Sequence, residues 1–166
     1  MVKLLYQRAE GEGSIMYQTM QNDTIKVGSL RVRFLVEPAE SSGSASVFEC
    51  YVPANSRMPA PHSHDGFEET IYGVEGTTIW TIDGETIAVG PGEAICVHRG
   101  QVHGFQNHGE VDATFLAIAT PAMFGPAYFR EIGEVLAASA DGPPDLAAIG
   151  EVMRRHGLTP APPSTT

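Results

Sequence analysis

The sequence predicts a mainly β fold, an antiparallel sandwich or barrel, followed by two helices. Three observations carry this. At least ten short runs of alternating or β-branched apolar residues succeed one another at close spacing up to Ala119. Glycine and proline are numerous, 18 and 12 in 166 residues, so turns are many and strands short. No helical period occurs before Pro121, and two occur after it. A closed double sheet is the usual way such a chain disposes of its strand edges. The length suits one domain with a real core, read here as a barrel over 1–120 with a helical extension over 121–166 packed on it.

The elements follow in order. Met1 to Gly13 ends in Glu10-Gly11-Glu12-Gly13 and is expected to be a loose arm. Ile15 to Met20 and Thr24 to Val27 are short candidate strands. Leu30 to Val36 alternates, with Leu30, Val32, Phe34 and Val36 on one face, the pattern of a half-buried strand. Pro38 to Gly43 is a loop, and Ser46 to Val52 alternates again. Pro53 to Pro61 is a Pro-rich crossing into a strand that holds His62 and His64. Thr70 to Val74 and Thr77 to Ile82 are strands, and Asp83-Gly84 joins the latter to Glu85–Val89 as a two-residue hairpin. Glu93 to Val97, Val102 to Gln106 and Val111 to Ala119 complete the set, separated by Gly- and Asn-containing turns.

Beyond Pro121, Tyr128, Ile132, Val135 and Leu136 recur at helical spacing, which predicts a helix over about Gly125–Ser139. A second helix is expected to start near Pro143 or Pro144 and run to His156, stopped by Gly157. Its apolar stripe is Leu146, Ile149, Val152 and Met153. Pro160 to Thr166 is expected to fray. Met123 and Phe124, in the linker, are expected either to border the barrel opening as a lid or to glue the helices to the barrel.

Charge bounds the partners. Twenty acidic residues against ten basic ones give a net charge of −10, a surface that repels phosphate backbones, so nucleic acid is not an expected partner. No apolar run approaches membrane-spanning length, and the first residues reach charge at once, so a cytoplasmic location without membrane attachment is expected. Cys50 and Cys96 lie far apart without a CxxC and are read as reduced thiols in strands. Exposed edge strands predict a homodimer in which Ile15 to Val36 meets the partner.

The chemistry concentrates in Pro61-His62-Ser63-His64-Asp65-Gly66-Phe67-Glu68-Glu69, answered by His103. In a strand, residues two apart share a face, so His62 and His64 point the same way. Imidazoles with a carboxylate suit a divalent transition metal (Fe, Mn, Ni, Co, Cu or Zn). A His-x-His pair alone is weak, because it also turns up in loops. The apolar residues around it, Phe105 two on from His103 and Ile71 two on from Glu69, describe a small-molecule site.

Two linked motifs sharpen this. His62-Ser63-His64, four residues, Glu69, six residues and Gly76 make the first; Gly92, five residues, His98-Arg99-Gly100, two residues, His103, three residues and Asn107 make the second. Together they resemble the cupin superfamily, small jelly-roll β-barrels (double-stranded β-helices) that carry a metal. Ser56 stands where the family has an opening glycine, and His98 where it has proline; both are turn positions, and the ligand set stays complete. The resemblance implies metal ligands His62, His64, Glu69 and His103. It too implies a homodimer. The first functional expectation is a metal-dependent enzyme, most concretely a quercetinase-like dioxygenase, with Glu69 the catalytic proton acceptor as well as a ligand. A metal-assisted isomerase or lyase is the sibling reading. A non-catalytic barrel that senses or stores a small ligand is the alternative from another class, since fold does not fix function.

Other residues have plainer expectations. Glu68 alternates outward and reaches the surface, unless a bulge exchanges it with Glu69. His98 is a rim or surface residue, His108 and His156 belong to a turn and a helix end, and Asn107 to a turn. Tyr72, Trp80, Phe105 and Phe115 are expected in the core.

Overall fold

A computed structural model describes residues 23–58, 60–139 and 142–161. The expected arm Met1–Gly13 and strand Ile15–Met20, with their share of any dimer contact, lie outside the described residues. The elements are β1 (Thr24–Val27), β2 (Leu30–Val36), β3 (Ser46–Val52), β4 (Ser56–Arg57), β5 (His62–His64), β6 (Glu68–Glu75) and β7 (Thr78–Ile82). They continue with β8 (Glu85–Val89), β9 (Ala94–Val97), β10 (His103–Asn107), β11 (Ala113–Thr120), α1 (Pro126–Ala138), α2 (Leu146–Arg155) and β12 (Leu158–Pro160).

Two antiparallel sheets form the barrel. The first runs β1-β2-β3-β11-β6-β9; the second runs β12-β5-β10-β7-β8, with β4 also paired to β10. This is the mainly β architecture with two C-terminal helices that the alternation and the turns predict. In β2, Leu30, Val32 and Phe34 are buried and Arg31 is exposed; in β3, Phe48, Cys50 and Val52 are buried while their neighbours are half-buried. One face of each strand is thus removed from water, which fixes register as well as fold. The Asp83-Gly84 hairpin forms as expected: φ is 49° at Asp83 and 89° at Gly84, and Ile82 pairs with Glu85. Two left-handed residues make the turn whose twist matches the strands, and glycine takes that conformation without a Cβ penalty.

Helix α1 lies against β1 of the first sheet, α2 lies against β12 of the second, and the two helices pack on each other. Pro126 begins α1, where its missing N–H is no loss. Gly133 lets α1 settle on β1, because a Cβ there would stand 2.5 Å from the Lys26 carbonyl oxygen. Asp145 caps α2: its Oδ1 accepts from the N–H groups of Ala147 and Ala148. Glu131 on α1 clasps α2, accepting from Arg155 at 2.5 Å and lying 2.9 Å from the His156 ring.

Three expectations are corrected. Pro160 is not part of a frayed tail: β12 pairs with β5, with Pro160 opposite His62, and Ala161 donates to the Pro61 carbonyl. Proline is tolerated because β12 is the edge of its sheet. Tyr72 is 44% exposed rather than core, since Ile71 beside it takes the inward face. Leu146 is 61% exposed; only Ile149, Val152 and Met153 of the α2 stripe are buried, because Leu146 begins the helix at its cap, beyond the packed face. Among the described residues, no helix is long and apolar enough to cross a membrane.

Candidate metal centre

The second sheet brings three histidines to one point. β5 lies between β12 and β10, and all three of its residues are buried. His103 opens β10 and is the direct partner of His62 across the ladder. His62, His64 and His103 each offer a ring nitrogen, and these atoms all lie within 4.8 Å of one another. The Nε2 atoms of His62 and His64 are 3.1 Å apart. Two ligands on one ion with bonds of about 2.0–2.1 Å stand roughly 3.0–3.4 Å apart, so this pair suits a shared ion.

The ring orientations support the same conclusion. Nδ1 of His103 donates to the Gln101 carbonyl at 3.0 Å, and Nδ1 of His62 to the Ala60 carbonyl at 3.3 Å. A carbonyl only accepts, so the neutral rings carry their proton on Nδ1 and turn a bare Nε2 inward. Metal-ligating histidines are held in this way by their outer partners. His64 is fixed differently, stacked on Phe67 at 4.1 Å between centroids and 20° between planes. Its Nδ1 is buried and has no hydrogen-bond partner among the described residues. Burial, the largest cause, lowers all three imidazoles from their ordinary range; for His62 and His64, which fall well below it, the neighbouring imidazoles add to it. They are neutral at pH 7, the state in which an imidazole can ligate. The triad can therefore hold one divalent metal.

Glu69 arrives from the other sheet. It is the second residue of β6, buried between Val97 of β9 and Ala119 of β11. Its Oε2 lies 3.9 Å from Nε2 of His64 and 3.7 Å from Nε2 of His103. These separations exceed a hydrogen bond, and with neutral imidazoles they are not ion pairs. Desolvation pushes the Glu69 carboxyl up to about 8. The carboxyl thus faces two of the three histidines across the barrel interior. Glu68 points outward, half-exposed, 3.7 Å from Nδ1 of His98. The exchanging bulge does not occur there: pairing with β11 is continuous at Glu68 and Glu69, and the register shift lies at Thr114/Phe115. Asn107 is a turn staple, its Nδ2 donating to the carbonyls of Val52 and Val111 and its Oδ1 accepting from Gly109 N–H. His98 is exposed, as expected.

The cavity around this cluster is apolar and aromatic. Phe48, Met58, Trp80, Phe105, Phe115, Phe124 and Tyr128 line it with the three histidines and Glu69. Cys50 and Tyr128 also line it and were not anticipated as site residues; burial raises both, and the nearby Glu69 charge adds to it. Alternation marks Cys50 as inward, and helical period marks Tyr128 as buried, but neither pattern says which core residues face a cavity.

Of the two linker residues, Phe124 is buried and lines the cavity, whereas Met123 is 54% exposed. Phe124 is 5% exposed, and its ring sits 5.0–5.9 Å from those of Phe67, Tyr128, Phe129 and Phe48. It also stands 6.4 Å from the His64 ring. Phe124→Ala is expected to cost about 3–5 kcal/mol in denaturant unfolding, the range for truncating a buried aromatic. A loss under about 1 kcal/mol together with altered ligand binding would instead mark it as a lid.

Comparison with known proteins fits this geometry. Residues 48–119 match the family described as "Cupin domain". No curated protein sequence matches the chain. Among solved structures, the polyketide cyclase RemF from Streptomyces resistomycificus is similar, at 28% identity over 68% of this chain and 82% of that one, TM-score 0.56. A predicted oxalate decarboxylase from Thermotoga maritima matches at 19% identity over 64% of this chain and 99% of that one, TM-score 0.57. A sugar phosphate isomerase of the cupin superfamily from Silicibacter pomeroyi matches at 20% identity, TM-score 0.50, over 57% of this chain; the match spans only 60% of that protein. These neighbours differ in function and share the fold. The match covers residues 48–119, less than half of the chain, and the neighbours share its barrel fold.

Proposed function

We propose that this chain is a metal-dependent enzyme acting on a small, largely apolar enol or carbonyl compound. His62, His64 and His103 hold the ion, and Glu69 is both its further ligand and the group that moves the substrate's proton. The observation that carries the reading is the Glu69 carboxyl, buried in an aromatic cavity and aimed at two of the three histidines. A bound divalent ion would supply Lewis acidity toward a substrate oxygen or, if redox-active, O₂ chemistry.

The protein's own residues do the rest. The carbonyls of Ala60 and Gln101 keep two imidazoles in the ligating tautomer. Trp80, Phe105, Phe115 and Phe124 exclude water, which strengthens every electrostatic interaction inside. With a cation bound beside it, which would favour the ionised carboxylate, Glu69 would take a proton from an enol O–H or from a carbon beside a carbonyl and return it to product.

Two branches share this machinery. One is the quercetinase-like dioxygenase, in which the enol is oxidised by O₂. The other is an O₂-independent lyase, isomerase or cyclase, favoured by the 28% identity to a polyketide cyclase. Metal-loaded protein offered flavonols, catechols and diketones, with oxygen uptake and products followed together, separates them. Turnover with O₂ uptake supports the first branch, and turnover without it the second. Tight ligand binding without turnover of any compound would leave a non-catalytic binder and overturn the proposal.

A further inference from the structure

We infer that the outer face of the β6–β9 pair carries a second metal site, built from Glu68, Cys96 and His98 and suited to a borderline divalent ion such as Zn²⁺ or Co²⁺. It does not depend on the function proposed for the interior. Thr70 pairs with Cys96 and Glu69 with Val97, so the antiparallel register sets Glu68 opposite His98. Alternation then turns Glu68, Cys96 and His98 outward while Glu69 and Val97 turn in. The result is a carboxylate, a thiol and an imidazole on one small patch, their ligand atoms all within 4.8 Å.

The separations lie close to those that a shared ion would set. Cys96 Sγ is 3.9 Å from Nδ1 of His98, and Glu68 Oε1 is 3.7 Å from the same nitrogen. The second is too long for a hydrogen bond. Tetrahedral zinc with bonds of about 2.3 Å to sulphur and 2.0–2.2 Å to nitrogen and oxygen holds its ligand atoms roughly 3.3–3.6 Å apart. Small side-chain rotations close the difference, because the backbone is already held. His98 N–H donates to Gln101 Oε1 at 2.9 Å, Gln101 N–H to the His98 carbonyl at 3.2 Å, and Gln101 Nε2 to Asp83 Oδ2 at 3.1 Å. All three ligands are solvent-accessible, which leaves the fourth position to water. A thiolate in the set selects zinc-like ions over Mg²⁺ or Ca²⁺. The Gln101 carbonyl that fixes His103 belongs to this same turn, so an ion outside braces the loop that orients a ligand inside.

The test is a Co²⁺ titration of the full, reduced, metal-stripped chain, followed by absorption. Co²⁺ bound to a thiolate gives a sulphur-to-metal charge-transfer band in the near ultraviolet; an all-imidazole and carboxylate interior site gives none. The wild type is expected to take up two equivalents, one of them with that band. Cys96→Ser and His98→Ala, both at exposed positions, are each expected to abolish the band and weaken that equivalent at least about tenfold, leaving the interior one. The site is overturned if the wild type never shows the band. It is equally overturned if the band persists in Cys96→Ser, since the thiolate would then be the buried Cys50 of the interior cavity.

Discussion

His103→Ala is expected to strip the interior site of metal. His103 is 2% exposed, directly opposite His62 on the ladder, with its Nδ1–H held by the Gln101 carbonyl. Losing an outer partner of a metal-ligating histidine costs about 10–100-fold in affinity, and losing the ligand itself costs more. With the outer patch disabled by Cys96→Ser in both chains, equilibrium dialysis at micromolar metal should therefore find well under one ion per chain when His103 is also replaced, against one when it is kept. Turnover should fall with it. The chain should remain folded, because the deleted ring is a desolvated polar group whose removal relieves a cost while opening a small cavity. Unchanged stoichiometry at a native melting profile would show that the histidines converge for another reason.

Glu69→Gln tests the proton rather than the ion. Glutamine keeps the volume and one carbonyl oxygen but cannot accept a proton, and general acid–base catalysis by a placed side chain is worth about 10²–10⁴-fold. Turnover should drop by that factor. Metal affinity should fall less than in His103→Ala, because the three imidazoles remain. Stability should hold, since the side chain is buried in an apolar cavity where an ionised carboxyl is disfavoured, as its raised pKa records. Wild-type turnover in Glu69→Gln would remove Glu69 from the chemistry and leave the ion alone to activate the substrate.

The site was legible because its signals are local. Period two alone places His62 and His64 on one face, and the same alternation sends Glu69 in and Glu68 out, as the continuous β6–β11 register bears out. Asp83-Gly84 names its turn through backbone chemistry that few other pairs offer. The alternation that puts Glu69 and Ile71 inside also puts Tyr72 outside, so that error came from trusting aromatic character over period. Leu146 likewise follows from Asp145: a cap at that position makes Leu146 the first helical residue, beyond the surface its helix covers.

What stayed hidden is non-local. β12 has three residues and ends in proline, so nothing local predicts its return to β5; it exists because β5 offers it an edge. The carbonyls of Ala60 and Gln101 hold ring tautomers through hydrogen bonds that carry no side-chain signature. Cys50 and Tyr128 face the cavity through the meeting of a sheet and a helix, a fact of packing rather than of pattern. The outer Glu68-Cys96-His98 patch needed the β6–β9 register, which joins residues almost thirty positions apart.

The central claim, that His62, His64 and His103 bind one ion inside the barrel, is tested most directly by X-ray absorption spectroscopy. The Cys96→Ser variant, loaded with a single equivalent of Co²⁺, keeps the outer patch from contributing sulphur. The account expects a first shell of nitrogen and oxygen with the multiple scattering of three imidazole rings. A shell containing sulphur, or scattering from no more than one ring, would contradict it.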